Sequence, residues 1–169
     1  MREAQRKKIC ILGAAAVGKT SLMAGYSGQA VSGDYASTLG VRITRAVVPV
    51  RGRLRELIVW DIKGESAFYR IPPEYLLGAH GCVYVADGTR RGTLERALDI
   101  RARMREIIGD IPELMLVNKL DLRDIWEVDE DQLSSLNSMG LAVHAVSAHG
   151  GLALHTAMEG LARAMWGVT

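Results

Sequence analysis

This sequence predicts an α/β fold: a mostly parallel six-stranded sheet with one antiparallel edge strand and helices on both faces. Three observations lead there. Short apolar runs alternate with stretches of helical period along the whole chain. Two neighbouring apolar runs are joined by Arg51-Gly52-Arg53, a hairpin signal, so one strand runs against the rest. And the run Ile9-Cys-Ile-Leu12 leads straight into Gly13-Ala-Ala-Ala-Val-Gly18-Lys19-Thr20, a strand followed by a glycine-rich loop and a helix-compatible stretch.

Taken in order, residues 8–13 form a buried-type strand and 19–26 the first helix. Residues 27–40 are polar and rich in Gly and Ser, too long for a tight turn and suited to a functional loop. Residues 42–50 and 54–61 are the hairpin strands, and Pro49, which has no N–H for a ladder, puts the first of them at an edge. A second irregular loop covers 62–73. Strands follow at 81–86, 113–118 and 141–147, and helices at 93–108 and 131–138, the latter stopped by Gly140. The last helix carries Leu154, Met158, Leu161 and Met165 on one stripe, the spacing of a core-facing helix.

The chain of 169 residues reads as one domain, 1–169, with a basic N-terminal extension at 1–7. Apolar residues make up 49% and charged residues 24%, the balance of a soluble globular protein. A net charge of +2 gives no basic footprint for nucleic acid. Cys10 and Cys82 each sit inside an apolar run, as buried thiols of a reducing cytosol do. No apolar run reaches membrane-spanning length, the start lacks the apolar core of a signal peptide, and the end, Trp166-Gly-Val-Thr169, has no cysteine to prenylate. A cytoplasmic protein with no direct membrane anchor is expected.

The glycine-rich loop has the physical parts of a phosphate cradle. Its glycines let successive N–H groups turn inward, and the helix that follows adds its positive end. Ala16, Val17, Gly18, Lys19, Thr20 and Ser21 are the expected phosphate contacts: Lys19 as a point charge, the Thr20 hydroxyl as a Mg²⁺ ligand. The loop alone fits adenine and guanine nucleotides equally. Asn118-Lys119-Leu120-Asp121, at the end of a strand, separates them. A carboxylate at Asp121 can accept two parallel hydrogen bonds from guanine, a donor pair adenine lacks. Asn118 can serve the purine N7, and the Lys119 stem can lie over sugar and base. Ser147-Ala148-His149 ends the last strand, where the Ala148 N–H can reach guanine O6.

On these residues the chain resembles a small GTPase of the Ras superfamily, closest to the Rab branch. Gly13 to Thr20, Thr38, Trp60-Asp61…Gly64, Asn118 to Asp121 and Ser147-Ala148 match the family's five nucleotide-contact motifs in order and spacing. Tyr35-Ala-Ser-Thr38-Leu-Gly-Val41 and Gly78-Ala79-His80-Gly81 are similar to Rab segments. The resemblance implies a P-loop NTPase G domain that binds GTP and GDP with Mg²⁺, hydrolyses GTP and switches through two mobile loops, 27–40 and 62–73. It implies that Thr38 binds Mg²⁺ in the triphosphate state, that Asp61 holds the metal through water, and that the Gly64 N–H meets the γ-phosphate. Catalytic roles thereby fall to Lys19, Thr38 and Gly64. Effector, exchange and activating proteins are expected at the switch face, with Trp60 as an aromatic they use. The lack of a lipidated tail, with an Arg/Ala/Gly-rich composition, leans toward a prokaryotic member.

Four departures from the pattern bear on chemistry. Glu65 stands where the family has a glutamine that orients the attacking water: a base, a slow enzyme awaiting a partner, or a solvent-facing residue are its three readings. Lys63 replaces a small alanine, either as a cation for transition-state charge or as a solvated side chain. Val31 replaces an aromatic that packs on guanine, with Tyr26 or Tyr35 as substitutes. Ala15 and Ala16 stand where glycine is frequent, and His149 replaces a common lysine. Unassisted turnover is expected on the order of 10⁻⁴–10⁻² s⁻¹. A GTP- or GDP-loaded scaffold with lost chemistry is the alternative. Arg42, Arg45, Arg51, Arg53 and Arg55 read first as a solvated face and second as a cluster that steers an acidic partner protein to the switch side.

Overall fold

The computed structural model describes residues 6–27, 34–36, 40–149 and 151–168, with backbone only at 34–36. The elements run β1 (Lys7–Gly13), α1 (Lys19–Ser27), β2 (Asp34–Ala36), β3 (Val41–Val50), β4 (Arg53–Ile62), β5 (Gly81–Asp87), α2 (Arg91–Ile108), β6 (Glu113–Asn118), α3 (Glu130–Ser138), β7 (Ala142–Ala145) and α4 (Leu152–Met165). Two short 3-10 helices, Pro73–Leu76 and Leu120–Ile125, interrupt loops that the sequence leaves irregular.

The strands form one sheet in the order β2-β3-β4-β1-β5-β6-β7. The β4-β1-β5-β6-β7 ladder is parallel and β3 is antiparallel to β4. The expected six strands are therefore present. The three-residue β2 adds a seventh along the first residues of β3. Pro49 lies in the part of β3 that β2 does not cover, where its missing N–H interrupts no second ladder. The β3–β4 turn is two residues, Arg51 and Gly52, with φ of 49° and 70°. Positive φ at both central positions is the hairpin turn whose twist matches its strands.

The central strands are buried on both faces, so they read as continuous apolar runs rather than alternating ones. One apolar layer lies between the sheet and α1 and α4. It includes Ile9, Ile11, Leu57 and Val59 with Leu154, Met158, Leu161 and Met165. The other lies toward α2 and α3 and joins Leu12, Ile62, Tyr84 and Met115 with Leu94, Ile100, Met104 and Leu133. Each fully buried Leu or Met side chain contributes about 2 kcal/mol of transfer free energy. These two layers leave the carboxyl ends of β1, β4, β5, β6 and β7 open on one edge, where ligands of such sheets bind. Cys10 and Cys82 face each other across β1 and β5 as buried free thiols. Burial pushes Cys10 up to about 11 and Cys82 up to about 12, which makes both unreactive.

Candidate functional site

A cavity of about 310 Å³ opens between the loop after β1, the start of α1 and the end of β4. Ala16, Gly18, Lys19, Thr20 and Ser21 form one wall; Asp61, Lys63, Gly64 and Arg42 form the other. Ala16 has φ of 59° and Gly18 φ of 97°, the left-handed turns that curl the loop. A Cβ on Gly18 would fall 2.4 Å from Asn118 Nδ2, so only glycine lets the base-side asparagine close on the loop. That Asn118 Nδ2 donates to the Val17 carbonyl at 3.0 Å.

Lys19 is buried, and its ammonium donates to the Ala14 carbonyl at 2.9 Å. Burial lowers its pKa from 10.5 to about 8, against the opposing pull of Asp61. The Thr20 hydroxyl donates to Asp61 Oδ2 at 2.5 Å. Burial raises the Asp61 carboxyl above its usual range, although Thr20, Lys19 and Arg42 pull the other way. A buried carboxylate and a hydroxyl facing one cavity are hard oxygen donors, and they fit Mg²⁺, which takes one or two protein oxygens and keeps its waters. Among the described residues there is no cluster of three or more His, Cys, Asp or Glu for an all-protein metal cage.

The second half of the site lies at the ends of β5, β6 and β7. Lys119 has φ of 70° and its ammonium pairs with Asp87 Oδ2 at 2.7 Å. Burial pushes the Asp87 carboxyl up, but hydrogen bonds from Lys119, Thr89 and Arg90 outweigh it and hold the group down at about 2. Arg90 ties the two halves together. Its Nε bonds Asp87 at 3.0 Å and its Nη2 donates to the Ala16 carbonyl at 2.9 Å. Asp121 accepts from the Ser147 hydroxyl at 3.1 Å, and His149 Nε2 stands 3.5 Å from its other oxygen. Ala148 lies between them. The sequence predicts Asn118, Lys119, Asp121, Ser147, Ala148 and His149 as one group, and the structure brings them together. Asp87, Arg90 and Trp126, whose indole donates to the Lys119 carbonyl at 2.8 Å, are missed. Only tertiary neighbours distinguish them from surface residues.

Glu65 is placed differently from the expectation. Its backbone extends β4 beside β1: the Ala15 N–H donates to the Glu65 carbonyl (2.9 Å) and the Glu65 N–H to the Gly13 carbonyl (3.0 Å). Gly64 is pressed on the cradle, where a Cβ would come 2.5 Å from the Ala14 oxygen. Pleating then sends the Glu65 side chain to the α2 face, away from the cavity. There it is fully buried, with Arg103 Nη2 2.7 Å from each carboxylate oxygen, Arg96 at 4.0 Å and the Ile71 N–H at 3.2 Å. Neither a base at the cavity nor a solvent-facing residue describes this side chain. Lys63 is exposed at the rim with its ammonium 4.9 Å from the Tyr69 ring centre. Tyr26 does not reach toward the base: it is buried, with its hydroxyl donating to the Val47 carbonyl. Thr38 and Val31 lie outside the described residues, and at Tyr35 only the backbone is described. Arg42, beside Asp61 in the β3–β4 register, belongs to the site. Arg51, Arg53 and Arg55 lie at the opposite end of β4 from Asp61, far from the switch side. Trp60 lies under the Lys8 ammonium, 3.6 Å from its ring centre.

A strand-ending phosphate cradle with a buried lysine, a Thr–Asp oxygen pair beside it, and an Asn-Lys-x-Asp cluster across the loop defines a P-loop nucleotide-binding protein of the α/β class. A model of the Ras family matches residues 8–166. The chain is 29% identical over 127 residues to Ras-related protein Rab-18-B of Danio rerio, covering 74% of this chain and 62% of that relative. That alignment spans less than two thirds of the relative's length. Ras-related protein Rab-31 of Rattus norvegicus and of Homo sapiens is 27% identical over 161 residues, covering 92% of this chain and 81% of theirs. The chain belongs to the Ras family and is a small GTP-binding protein of the switch class, similar to Rab proteins.

Proposed function

We propose that the chain binds GTP and GDP with Mg²⁺, hydrolyses GTP slowly and changes partner affinity through the segments 27–40 and 62–73. The observation that carries this reading is Lys19, a cavity-facing ammonium that burial has left short of negative charge. A β- or γ-phosphate would supply that charge, and the N–H groups of the cradle would hold its oxygens. Thr20 and Asp61, with Thr38 in the triphosphate state, would hold Mg²⁺, which neutralises charge on the phosphates. Asp121 would take guanine N1–H and the exocyclic amine, since each of its oxygens keeps a free lone pair beside its present partner. Hydrolysis adds water to the γ-phosphorus and releases GDP and inorganic phosphate. Gly64 lines the cavity wall, and its N–H would meet the γ-phosphate.

A second reading is a GTP- or GDP-binding module with impaired hydrolysis, and the burial of Glu65 under Arg103 favours it. With that side chain withdrawn, water orientation is left to other groups or to a partner. The exposed face of 62–77 suits such a partner: Phe68 is 100% exposed and Leu77 63%. Effector, exchange and activating proteins are assigned to this face. The two free buried thiols suit a reducing, cytoplasmic setting, and no helix among the described residues is long and apolar enough to cross a membrane.

Displacement of labelled GDP tests the binding reading. GTP should compete and ATP should not, and Asp121→Ala should abolish the preference. Equal competition by ATP would remove the guanine assignment. Phosphate release with and without Mg²⁺ separates the slow enzyme from the impaired module.

A further inference from the structure

At the end of the sheet opposite the nucleotide cavity, a second cavity of about 370 Å³ lies between the β3–β4 hairpin and the end of α4. Arg51, Arg53, Arg55 and Trp166 line it. Its chemistry is unlike that of an ordinary sheet edge. Arg53 and Arg55 continue the row of β4 whose next members, Leu57 and Val59, are core residues under α4. Among the described residues no carboxylate pairs with Arg51, Arg53 or Arg55. Glu56, the nearest acid along the strand, alternates to the other face and holds Arg6 at 2.6 Å and Arg45 at 3.5 Å. Arg55 Nε and Trp166 Nε1 are buried and donate to nothing among the described residues. The Arg55 guanidinium lies 5.8 Å from the Trp166 ring centre and the Lys7 ammonium 5.3 Å from it. Buried donors without acceptors are costly, and three guanidinium forks with no ion-pair partner among the described residues, around one concavity, are a match for tetrahedral oxyanions.

We infer that this cavity is a binding site for a phosphomonoester group, held by Arg51, Arg53, Arg55 and the Trp166 indole N–H. A phosphomonoester carries nearly two negative charges and three acceptor oxygens, enough for the forks and the indole together. A carboxylate offers one charge and two oxygens. The group can come from a soluble phosphorylated metabolite or from a lipid headgroup, and both present the same oxygens.

The test uses the full chain saturated with GDP and Mg²⁺, titrated with glycerol 3-phosphate while the indole N–H resonances are followed. The Trp166 signal should shift saturably, while Trp60 and Trp126 stay in place and report an intact fold. This readout is local to the distal cavity, so it stands whether or not guanine nucleotide occupies the other site. Arg55→Gln should weaken binding at least about tenfold, with Arg55→Lys in between. Sedimentation with phosphatidylcholine vesicles containing phosphatidic acid identifies the source: binding to vesicles with no response to glycerol 3-phosphate assigns a headgroup, and the reverse assigns a metabolite. The inference is overturned by silence of Trp166 toward glycerol 3-phosphate together with no sedimentation with the vesicles, by an equal shift with acetate at matched ionic strength, by unchanged affinity in Arg55→Gln, or by tighter binding of a poly-glutamate peptide, which would make this an acidic-protein surface.

Discussion

Lys19 sets the electrostatics of the nucleotide cavity. Its pKa in the folded chain is about 8 against 10.5 in the unfolded one, so between those values the unfolded state binds more protons. Stability of the nucleotide-free protein should therefore rise from pH 8 to 10.5, by up to about 3 kcal/mol. Phosphate oxygens would restore the charge, so nucleotide binding near pH 8 should take up about half a proton. Calorimetry in two buffers of different ionisation heat reads this directly; no buffer dependence would place Lys19 away from the phosphates. Asp61 has the opposite sense. Its carboxyl is raised, so folding favours its protonated form, and its ionisation above that range costs stability in the metal-free chain. Asp61→Asn should raise the melting temperature without Mg²⁺ at pH 7 and remove the further rise that Mg²⁺ with GDP produces in the native protein.

The segment from β4 into residues 62–73 is the element whose placement matters most. It is held at two points: main-chain bonds from Glu65 to Gly13 and Ala15, and the Glu65 carboxylate between Arg103 and Arg96 of α2. Removing one partner of a buried ion pair leaves the other uncompensated. Arg103→Ala should cost roughly 3 kcal/mol in denaturant unfolding, and Glu65→Gln in the same chain should recover part of it. Hydrolysis responds in a different way. If Glu65 anchors the segment rather than activating water, single-turnover GTP hydrolysis by Glu65→Gln should be unchanged or faster. A drop of about a hundredfold would return Glu65 to the chemistry.

For the whole molecule, ligand binding and folding are one equilibrium. The cradle, Asp61 and Asn118 come from β1, β4 and β6, which only the folded sheet brings together, β4 beside β1 and β6 beyond the intervening β5. Guanine nucleotide should bind the native state alone. GDP at about a hundred times its Kd should stabilise the chain by about 2.7 kcal/mol, with no such gain from ADP. Thermal unfolding against ligand concentration checks it.

The parallel sheet, the phosphate cradle and the base-side cluster were legible in the chain because each is local. Short apolar runs and helical patterning mark strands and helices, and a loop with two glycines flanking four residues before Lys19 and Thr20 declares itself within eight residues. Strand ends moved by at most two residues because the ladder, not the pattern, decides where pairing stops. Asp87 and Arg90 could not be found this way. Their importance comes from neighbours at Lys119 and Ala16, distant along the chain. Sequence by itself determined the class of fold and singled out the loop 13–20 and the cluster of Asn118, Lys119, Asp121 and Ser147, which the structure gathers at the ends of the strands. Tertiary structure alone decided that Glu65 is buried under Arg103, that Arg42 joins the cavity, and that the hairpin arginines gather around Trp166 at the far end of the sheet. Strand pairing and pleat fix the direction of each side chain, and no local pattern encodes what waits on the other side.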